Sequence, residues 1–226
     1  MNFNIESPTS KEELLNCLRN HQSGHFRLAA GFTDLLIELK KSKTEELTVI
    51  NLSQIKDKQF TGIDIQPSGI RIGALVNVAQ IRKNQSIRKS FPVLQQAADA
   101  LASGQIREVA TIGGNICQAS PSGDLSCALV ALKASCEILK MDGTIRHESL
   151  NDFFRGPAVT SLQKNEVLKS IVIPANQTNK LKSGFIKIGK RSAMECSIVS
   201  ISYHFQLGAD AAILHSGIAI KPQTFQ

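Results

Sequence analysis

Aromatic side chains are scarce in this 226-residue chain: tryptophan is absent, and tyrosine occurs once, as Tyr203. The chain is nevertheless basic, with a formal net charge of +7, which is typical of proteins that bind nucleic acid, an anionic ligand or an acidic partner. Its densest basic stretches, residues 40–41, 82–89 and 187–191, contain no aromatic residue. Because unpaired bases are bound largely by stacking on aromatic rings, the sequence predicts no nucleic-acid site.

Cysteine is present without any metal-binding spacing. The five cysteines contain no CxxC pair, which disfavours an iron–sulfur cluster or a structural zinc held by this chain; they are Cys17, Cys117, Cys127, Cys136 and Cys196. An odd number of cysteines without a secretory signal indicates reduced thiols. We therefore expect a cytoplasmic protein.

Long apolar runs are also missing. No stretch approaches the roughly 18 apolar residues of a membrane-spanning helix, and the first fifteen residues lack the apolar core of a secretory signal. With 42% hydrophobic and 20% charged residues, the composition is typical of an ordered protein of one or two domains.

The common hydrolytic motifs are absent. The sequence has neither HExxH nor GxSxG, and its five histidines are dispersed. No catalytic residue and no metal ligand can be assigned. A chain with binding loops but no acid, base or nucleophile is expected to take its chemistry from a cofactor.

Strand and helix patterns alternate near the N-terminus. Residues 26–41 predict a strand, a turn at Gly31 and a helix, and residues 46–52 predict the next strand. Strand–helix–strand over about thirty residues is a βαβ unit. We assign residues 1–56 to a small α/β lobe.

Two hairpins and two helices follow. The hairpins cover residues 62–76, turning at 67–69, and residues 136–148, turning at Asp142-Gly143. Apolar residues at helical spacing predict helices over 91–101, with a stop at Gly104, and over 125–132. A strand over 167–174 ends at Pro174. Residues 57–175 are thus predicted to form a larger α+β lobe.

A polar stretch, residues 175–184, marks a domain boundary. Beyond it, residues 185–191 and 197–207 predict strands of an antiparallel unit. Some forty residues are few for an independent domain. We therefore expect residues 180–226 to be the start of a truncated domain, or to share a core with the rest of the chain.

Two glycine-containing stretches are candidate binding loops. The first, LAAGFTDLL at 28–36, takes the chain from a strand into a helix, which directs backbone N–H groups toward one point and suits a pyrophosphate. It is also compatible with an ordinary turn capped by Thr33 or Asp34. The stretch matches neither G-x-G-x-x-G nor a P-loop.

The second stretch is ATIGGNICQASPSGDL at 110–125. Gly113-Gly114 is compatible with a hairpin turn. Small residues nevertheless continue to Gly123, and a bare backbone of that length allows close approach by a ligand. Asn115 can supply an amide, and Asp124 either accepts hydrogen bonds from a ribose or caps a helix. The residues alone leave these alternatives open.

Together, some eighty residues apart, the two stretches resemble the FAD-binding (medium) subunit of the molybdenum hydroxylases, the xanthine dehydrogenase and carbon monoxide dehydrogenase flavoprotein family. Further matching pieces occur in the family's order at residues 70–76, 104–115, 128–134, 167–174 and 185–202. The resemblance implies an α+β fold of the vanillyl-alcohol-oxidase (PCMH) type, in which a small and a larger lobe hold FAD between them.

The resemblance also implies which residues contact FAD. Two loops would surround the pyrophosphate, with Gly31 at the apex of the first and a hydroxyl from Thr33. Asp124 would hold a polar end of the cofactor, two leucines would touch its rings, and Lys187 would lie near the flavin. The implied contacts are Leu28, Ala29, Ala30, Gly31, Phe32, Thr33, Asp34, Leu35, Leu101, Thr111, Ile112, Gly113, Gly114, Asn115, Asp124, Leu168 and Lys187.

The resemblance further implies a division of labour. A molybdopterin subunit oxidises the substrate, an iron–sulfur subunit relays electrons, and this chain, an FAD-dependent oxidoreductase component, passes them to NAD or another acceptor. There are departures from the family pattern: Phe32 stands where a second glycine or an asparagine is common, and Glu195 where aspartate is common. A degenerate docking subunit without flavin, or a stand-alone flavin oxidase of the same fold, are the alternative hypotheses.

Overall fold

A parallel three-stranded sheet forms the first lobe. The computed structural model describes residues 3–21, 25–41, 47–178, 180–189 and 197–222. Within this part the sheet has the order β1-β3-β2, all neighbours parallel, and two helices join its strands. The elements are β1 (Phe3–Glu6), α1 (Lys11–Asn20), β2 (Phe26–Ala29), α2 (Leu35–Lys41) and β3 (Leu47–Asn51). The predicted βαβ unit is confirmed as β2-α2-β3.

An antiparallel five-stranded sheet forms the second lobe, in the order β4-β5-β10-β6-β7. Its strands are β4 (Ile63–Gln66), β5 (Gly69–Gly73), β6 (Ser135–Lys140), β7 (Ile145–Ser149) and β10 (Glu166–Pro174). Both predicted hairpins are confirmed, as β4-β5 and β6-β7. The strand that ends at Pro174 is the central one, and most of its residues are buried.

Short helices pack against this sheet. Most of them fill the main core with aliphatic side chains, while the one that carries Phe60 packs with the leucines of α1. They are α3 (Lys58–Thr61), α4 (Val78–Lys83), α5 (Gln85–Ser90), α6 (Pro92–Ala100), α7 (Gly104–Val109), α8 (Ile112–Gln118), α9 (Asp124–Ala131) and α10 (Leu150–Phe153). A two-stranded ribbon, β8 (Phe154–Gly156) with β9 (Val159–Thr160), and a 3-10 turn over Leu52–Gln54 complete the lobe.

Two predictions about glycines are wrong. Gly104 does not end a helix: α6 ends at Ala100, Ala102 adopts a φ of 44°, and Gly104 opens α7 behind the cap Ser103. The carbonyls at the end of α6 are satisfied by Arg107, whose Nη1 donates to Leu101 O at 2.6 Å and Ala102 O at 2.8 Å. Gly113-Gly114 is not a hairpin turn either, because both residues lie in α8.

A third, antiparallel sheet follows the two lobes, in the order β11-β12-β13: β11 (Leu181–Gly189), β12 (Ser197–Leu207) and β13 (Ile213–Pro222). The polar boundary is shorter than predicted, because β11 begins at Leu181. The inner face of the sheet packs on α6 and α9, where Cys127, Ala131, Phe185 and Ala219 meet. Its outer face is apolar and includes Ile186, Ile188, Ile218 and Ile220, each more than half exposed. Glu195 lies outside the described residues.

The first two lobes share a core. Leu14, Leu15 and Leu18 of α1 pack with Leu139 of β6 and Val167 of β10. The interface between the lobes is therefore packed, and the groove between their loops has a fixed shape. None of the helices in the described ranges is long and apolar enough to cross a membrane.

Candidate functional site

A cavity of about 600 Å³ lies between the lobes, within the range of roughly 300–1,000 Å³ that cofactor pockets span. Its walls come mainly from the loop after β2, the residues from the end of α6 to the first turn of α8, the segment between α8 and α9, and the residues that precede β10. Lys187 of β11 closes one side. Both glycine-containing stretches therefore line the same space.

The loop from residue 30 to 35 supplies unused backbone donors. Within the described residues, none of its N–H groups donates to an acceptor. The Thr33 hydroxyl donates to Asp34 Oδ2 at 3.0 Å. Phe32 has a φ of 59°, and its ring packs against the core of the small lobe. Phe32 stands where a second glycine or an asparagine is common in the family, and its bulky side chain is thus partly accommodated by packing within the small lobe.

Gly31 brings the two loops together. A Cβ on Gly31 would lie 2.2 Å from the carbonyl oxygen of Val109 and 3.1 Å from the Cα of Ala110, distances that no side chain tolerates. Val109 and Ala110 lead directly into the second stretch. The missing side chain at 31 is therefore required by a backbone-to-backbone contact between the lobes.

The start of α8 is fully engaged within the protein. Thr111 caps the helix, its Oγ1 accepting from Gly114 N at 3.0 Å, while Ile112 N donates to Val76 O and Gly113 N to Ala74 O. A Cβ on Gly113 would meet the Cβ of Ala74 at 2.7 Å. These bonds occupy the first N–H groups of α8, whereas those of residues 30–35 have no acceptor among the described residues.

Gly114 is the glycine of α8 that faces the cavity. Its backbone is exposed, and an added Cβ would meet only Thr111 Oγ1, at 3.0 Å. Beside it, the Oδ1 atom of Asn115 is buried and has no hydrogen-bond partner among the described residues. A buried acceptor without a donor is costly, and a bound ligand that donates a hydrogen bond would remove that cost.

Asp124 and Lys187 form an ion pair at the far side. Lys187 Nζ lies 2.7 Å from Asp124 Oδ2, and both side chains are nearly buried. Burial raises the pKa of the Asp124 carboxyl, although the Lys187 ammonium opposes the shift. The second carboxyl oxygen, Oδ1, has no partner among the described residues. A second buried acceptor without a partner thus belongs to a residue that lines the cavity.

Most of the residues predicted to contact the cofactor line this cavity. The exceptions are Ile112, Gly113 and Leu168, which lie behind the wall. Ile112 and Leu168 are buried in the main core, and Gly113 packs on Ala74. The residues that line the cavity are Leu28, Ala29, Ala30, Gly31, Phe32, Thr33, Asp34, Leu35, Leu101, Thr111, Gly114, Asn115, Asp124 and Lys187.

Several lining residues were missed. Lys164 lies in the loop before β10 with its Nζ 5.9 Å from the centre of the Phe26 ring, and Gln118 Nε2 donates to Glu38 Oε1 across the lobes at 3.2 Å. Cys117 also lines the cavity; burial raises its thiol pKa to about 12, so it is no nucleophile at neutral pH. Cys117 and Gln118 lie within the second candidate stretch but were not singled out, whereas Lys164 lies outside both stretches and reaches the cavity only in the folded chain.

The donor set fits an extended, partly anionic cofactor. Free N–H groups at 30–35 suit phosphate oxygens, the open surface at Gly114 admits a flat group, and the unused acceptors of Asn115 and Asp124 suit N–H or O–H donors. A small parallel lobe closing on a larger antiparallel lobe around such a groove defines an FAD-binding protein of the vanillyl-alcohol-oxidase type.

Comparison with known proteins agrees with that class. Residues 1–176 match a family described as the FAD binding domain in molybdopterin dehydrogenase. The nicotinate dehydrogenase FAD-subunit of Eubacterium barkeri is 30% identical over 200 residues, which is 87% of this chain and 66% of that protein. The xanthine dehydrogenase FAD-binding subunit of Escherichia coli O157:H7 is 30% identical over 182 residues, 80% of this chain and 61% of that one.

A solved structure shows the same fold. The carbon monoxide dehydrogenase from Hydrogenophaga pseudoflava superposes with a TM-score of 0.88 at 25% identity, over 98% of this chain and 75% of that chain. The chain belongs to the family of FAD-binding domains of molybdopterin dehydrogenases. The predicted α+β fold and the FAD-binding family are confirmed.

Proposed function

We propose that this chain is the flavin component of a molybdenum hydroxylase, which receives electrons from iron–sulfur clusters of a partner subunit and passes them to NAD or another acceptor. The observation that carries the proposal is the cavity itself, which combines free backbone donors at 30–35 with unused acceptors on Asn115 and Asp124. The names of the relatives, FAD subunits of dehydrogenases for nicotinate and xanthine, support the same role.

The proposal assigns a part of the cofactor to each group of residues that lines the cavity. The N–H groups of residues 30–35 would hold the pyrophosphate, with Lys164 nearby, for which the described residues offer no carboxylate partner. Gly114 would lie against the cofactor. Asn115 Oδ1 and Asp124 Oδ1 would accept from its N–H or hydroxyl groups, and Leu101 would cover apolar surface. Bound FAD would supply the redox chemistry.

The remaining parts of the proposal concern organisation. We retain residues 1–56, 57–175 and 180–226 as the domain segments, since each of the three sheets is built within one of them. We also retain a cytoplasmic location and partnership with iron–sulfur and molybdopterin subunits. The described cysteines are all free thiols, which supports a reducing compartment.

The test uses the full chain loaded with FAD. The flavin is reduced anaerobically with dithionite, the excess is removed, and reoxidation is followed by absorbance after NAD, a quinone or oxygen is added. We expect stoichiometric FAD and reoxidation by NAD or the quinone faster than by oxygen. Failure to retain FAD would favour a degenerate docking subunit, and rapid reoxidation by oxygen alone would favour an oxidase.

A further inference from the structure

The segment between α8 and α9 lines the cavity and is held by hydrogen bonds within itself and from other parts of the chain. Residues 119–123, called here the linking loop, begin at Ala119, which has a φ of 47°, and Ser120, Ser122 and Gly123 face the cavity. Within the loop, Gly123 N donates to Ser120 O at 3.0 Å. Ser122 N also donates to Ser120 Oγ at 3.3 Å, and the two serine hydroxyls lie 3.1 Å apart. From outside the loop, Ala158 N donates to Ala119 O at 3.1 Å.

The third sheet holds this loop from behind, at every second residue. Lys221 Nζ of β13 donates to Ser120 O at 3.4 Å. Ser197 Oγ of β12 donates to Ser122 O at 3.2 Å. Lys187 of β11 pairs with Asp124, directly after the loop. Each strand of the third sheet thus supplies one polar contact to the linking loop or to Asp124 directly after it.

Lys221 makes the most extensive of these contacts. Its Nζ donates to Ser126 Oγ at 2.7 Å, and that hydroxyl donates to Gly123 O at 2.8 Å, so the ammonium reaches two carbonyls of the loop, one directly and one through a serine. It also lies 4.5 Å from the centre of the Phe154 ring, a cation–π distance. The described residues include no carboxylate within salt-bridge distance of it.

Placing the Lys221 ammonium here lowers the stability of the folded chain. Burial lowers the pKa of the Lys221 ammonium, which means that its charged form is destabilised by desolvation. A methionine would fill similar space without that cost. We attribute the presence of an ammonium group at this position to the hydrogen bonds that it donates to Ser120 O and Ser126 Oγ.

We propose that Lys221 is a positioning residue of the cofactor site, holding the linking loop in the conformation in which Gly123 and Asp124 line the cavity. The proposal rests on the proposed binding of FAD, and it extends the site to β13, beyond the residues 1–176 matched by the family. It predicts that a residue outside the cavity controls affinity for a ligand inside it.

The test compares Lys221→Met, Lys221→Arg and the control Lys182→Met, a lysine exposed on β11 of the same sheet. FAD is titrated into each full-length apoprotein and followed by flavin fluorescence. Because a hydrogen bond from a charged group contributes about one factor of ten, we expect Lys221→Met to bind FAD about tenfold more weakly, Lys221→Arg to recover part of the loss, and Lys182→Met to match the wild type.

Two further measurements separate positioning from general damage. Hydrogen exchange of the apoproteins should be faster in Lys221→Met across residues 119–124 only, and its melting temperature should equal or exceed that of the wild type. Unchanged affinity, or unchanged exchange in the loop, overturns the proposal. A wild type that binds no FAD overturns the proposed function instead, while the exchange of the loop still decides whether Lys221 positions it.

Discussion

At the scale of single residues, the four glycines near the cavity have different reasons for lacking a side chain. Gly31 and Gly113 are required by backbone or side-chain contacts behind the cavity wall. At Gly123 a Cβ would lie 2.6 Å from Ser126 Oγ and 3.1 Å from Ser120 O, so a side chain there would force the hydroxyl of Ser126 to move. Gly114 alone among the four has an open side toward the cavity. The bare backbone is thus largely an architectural requirement, and its contact with a ligand is concentrated at one position.

We expect Gly114→Val to weaken FAD binding by at least about tenfold, since the isopropyl group would occupy cavity space, while the free energy of unfolding changes by about 1 kcal/mol or less. FAD titration and urea unfolding measure the two effects. Gly104→Val is the matched control, because Gly104 also lies in the first turn of a helix and a Cβ there meets nothing within 4 Å. Equal FAD affinity of the two variants would remove Gly114 from the site.

The sequence shows where these glycines lie, but not why a side chain is excluded at each position. A glycine in a pattern indicates that a side chain is excluded, without indicating whether backbone, side chain or ligand excludes it. For Gly31 the excluding atom belongs to Val109, almost eighty positions away along the chain. Such a contact has no local signal. By contrast, Asp124 and Lys187 were predicted as site residues, and the structure joins them in an ion pair.

At the scale of elements, helix caps explain where prediction from the sequence was wrong. Gly113-Gly114 satisfies the pattern of a hairpin turn, yet Thr111 caps a helix there, and Ile112 and Ile116, four residues apart, are both fully buried. Burial of that pair outweighs the low helix propensity of two glycines. The hairpins and the helix over 124–131 were predictable because their apolar period and turn residues agree.

An ion-pair network ties strands of the second lobe together. Arg146 of β7 donates to both carboxyl oxygens of Glu166 at the start of β10, at 2.8 Å each, and to Glu148 at 2.7 Å. The hydrogen bonds from Arg146 are the main reason that the pKa of Glu166 lies below its ordinary value. The ionised form is therefore favoured in the folded state.

The contribution of this network to the free energy of unfolding should be fully present above the pKa of Glu166 in the unfolded chain, about 4.3. It should be lost as pH falls through the lower pKa of Glu166 in the folded protein. We expect Glu166→Gln to cost about 2 kcal/mol at pH 7 and the gap from the wild type to shrink below about pH 4. Urea unfolding at pH 7 and pH 3.5 measures it, with exposed Glu12→Gln as control. An equal gap at both pH values would contradict the assignment.

At the scale of the whole molecule, the two lobes are joined by a common core, and the cavity between them is consequently preformed. Leu139 of the second lobe packs, fully buried, with the α1 leucines of the first. The bond from Gln118 to Glu38 spans the same interface at its open side. The sequence predicted two lobes, but these contacts join residues 80 or more positions apart, which no local pattern reveals.

Leu139→Ala should therefore destabilise both lobes together, by about 2–5 kcal/mol. Hydrogen exchange under native conditions would show protection falling by the same amount in α1 and in α6. Ile65→Ala, at a position 59% exposed on β4, should change stability by about 0.5 kcal/mol or less. Loss of protection in α6 with α1 unaffected would show that the lobes unfold independently.

The contact between Gly31 and the carbonyl of Val109 also bears on how this cavity tolerates change. Since main chain meets main chain there, the gap between the two loops is set by the path of the backbone, and the side chain of Val109, which is 51% exposed, can be exchanged without altering its width. The width of the gap between the two loops is therefore fixed by the backbone. A chain could replace most of the surrounding side chains and keep an opening of the same size.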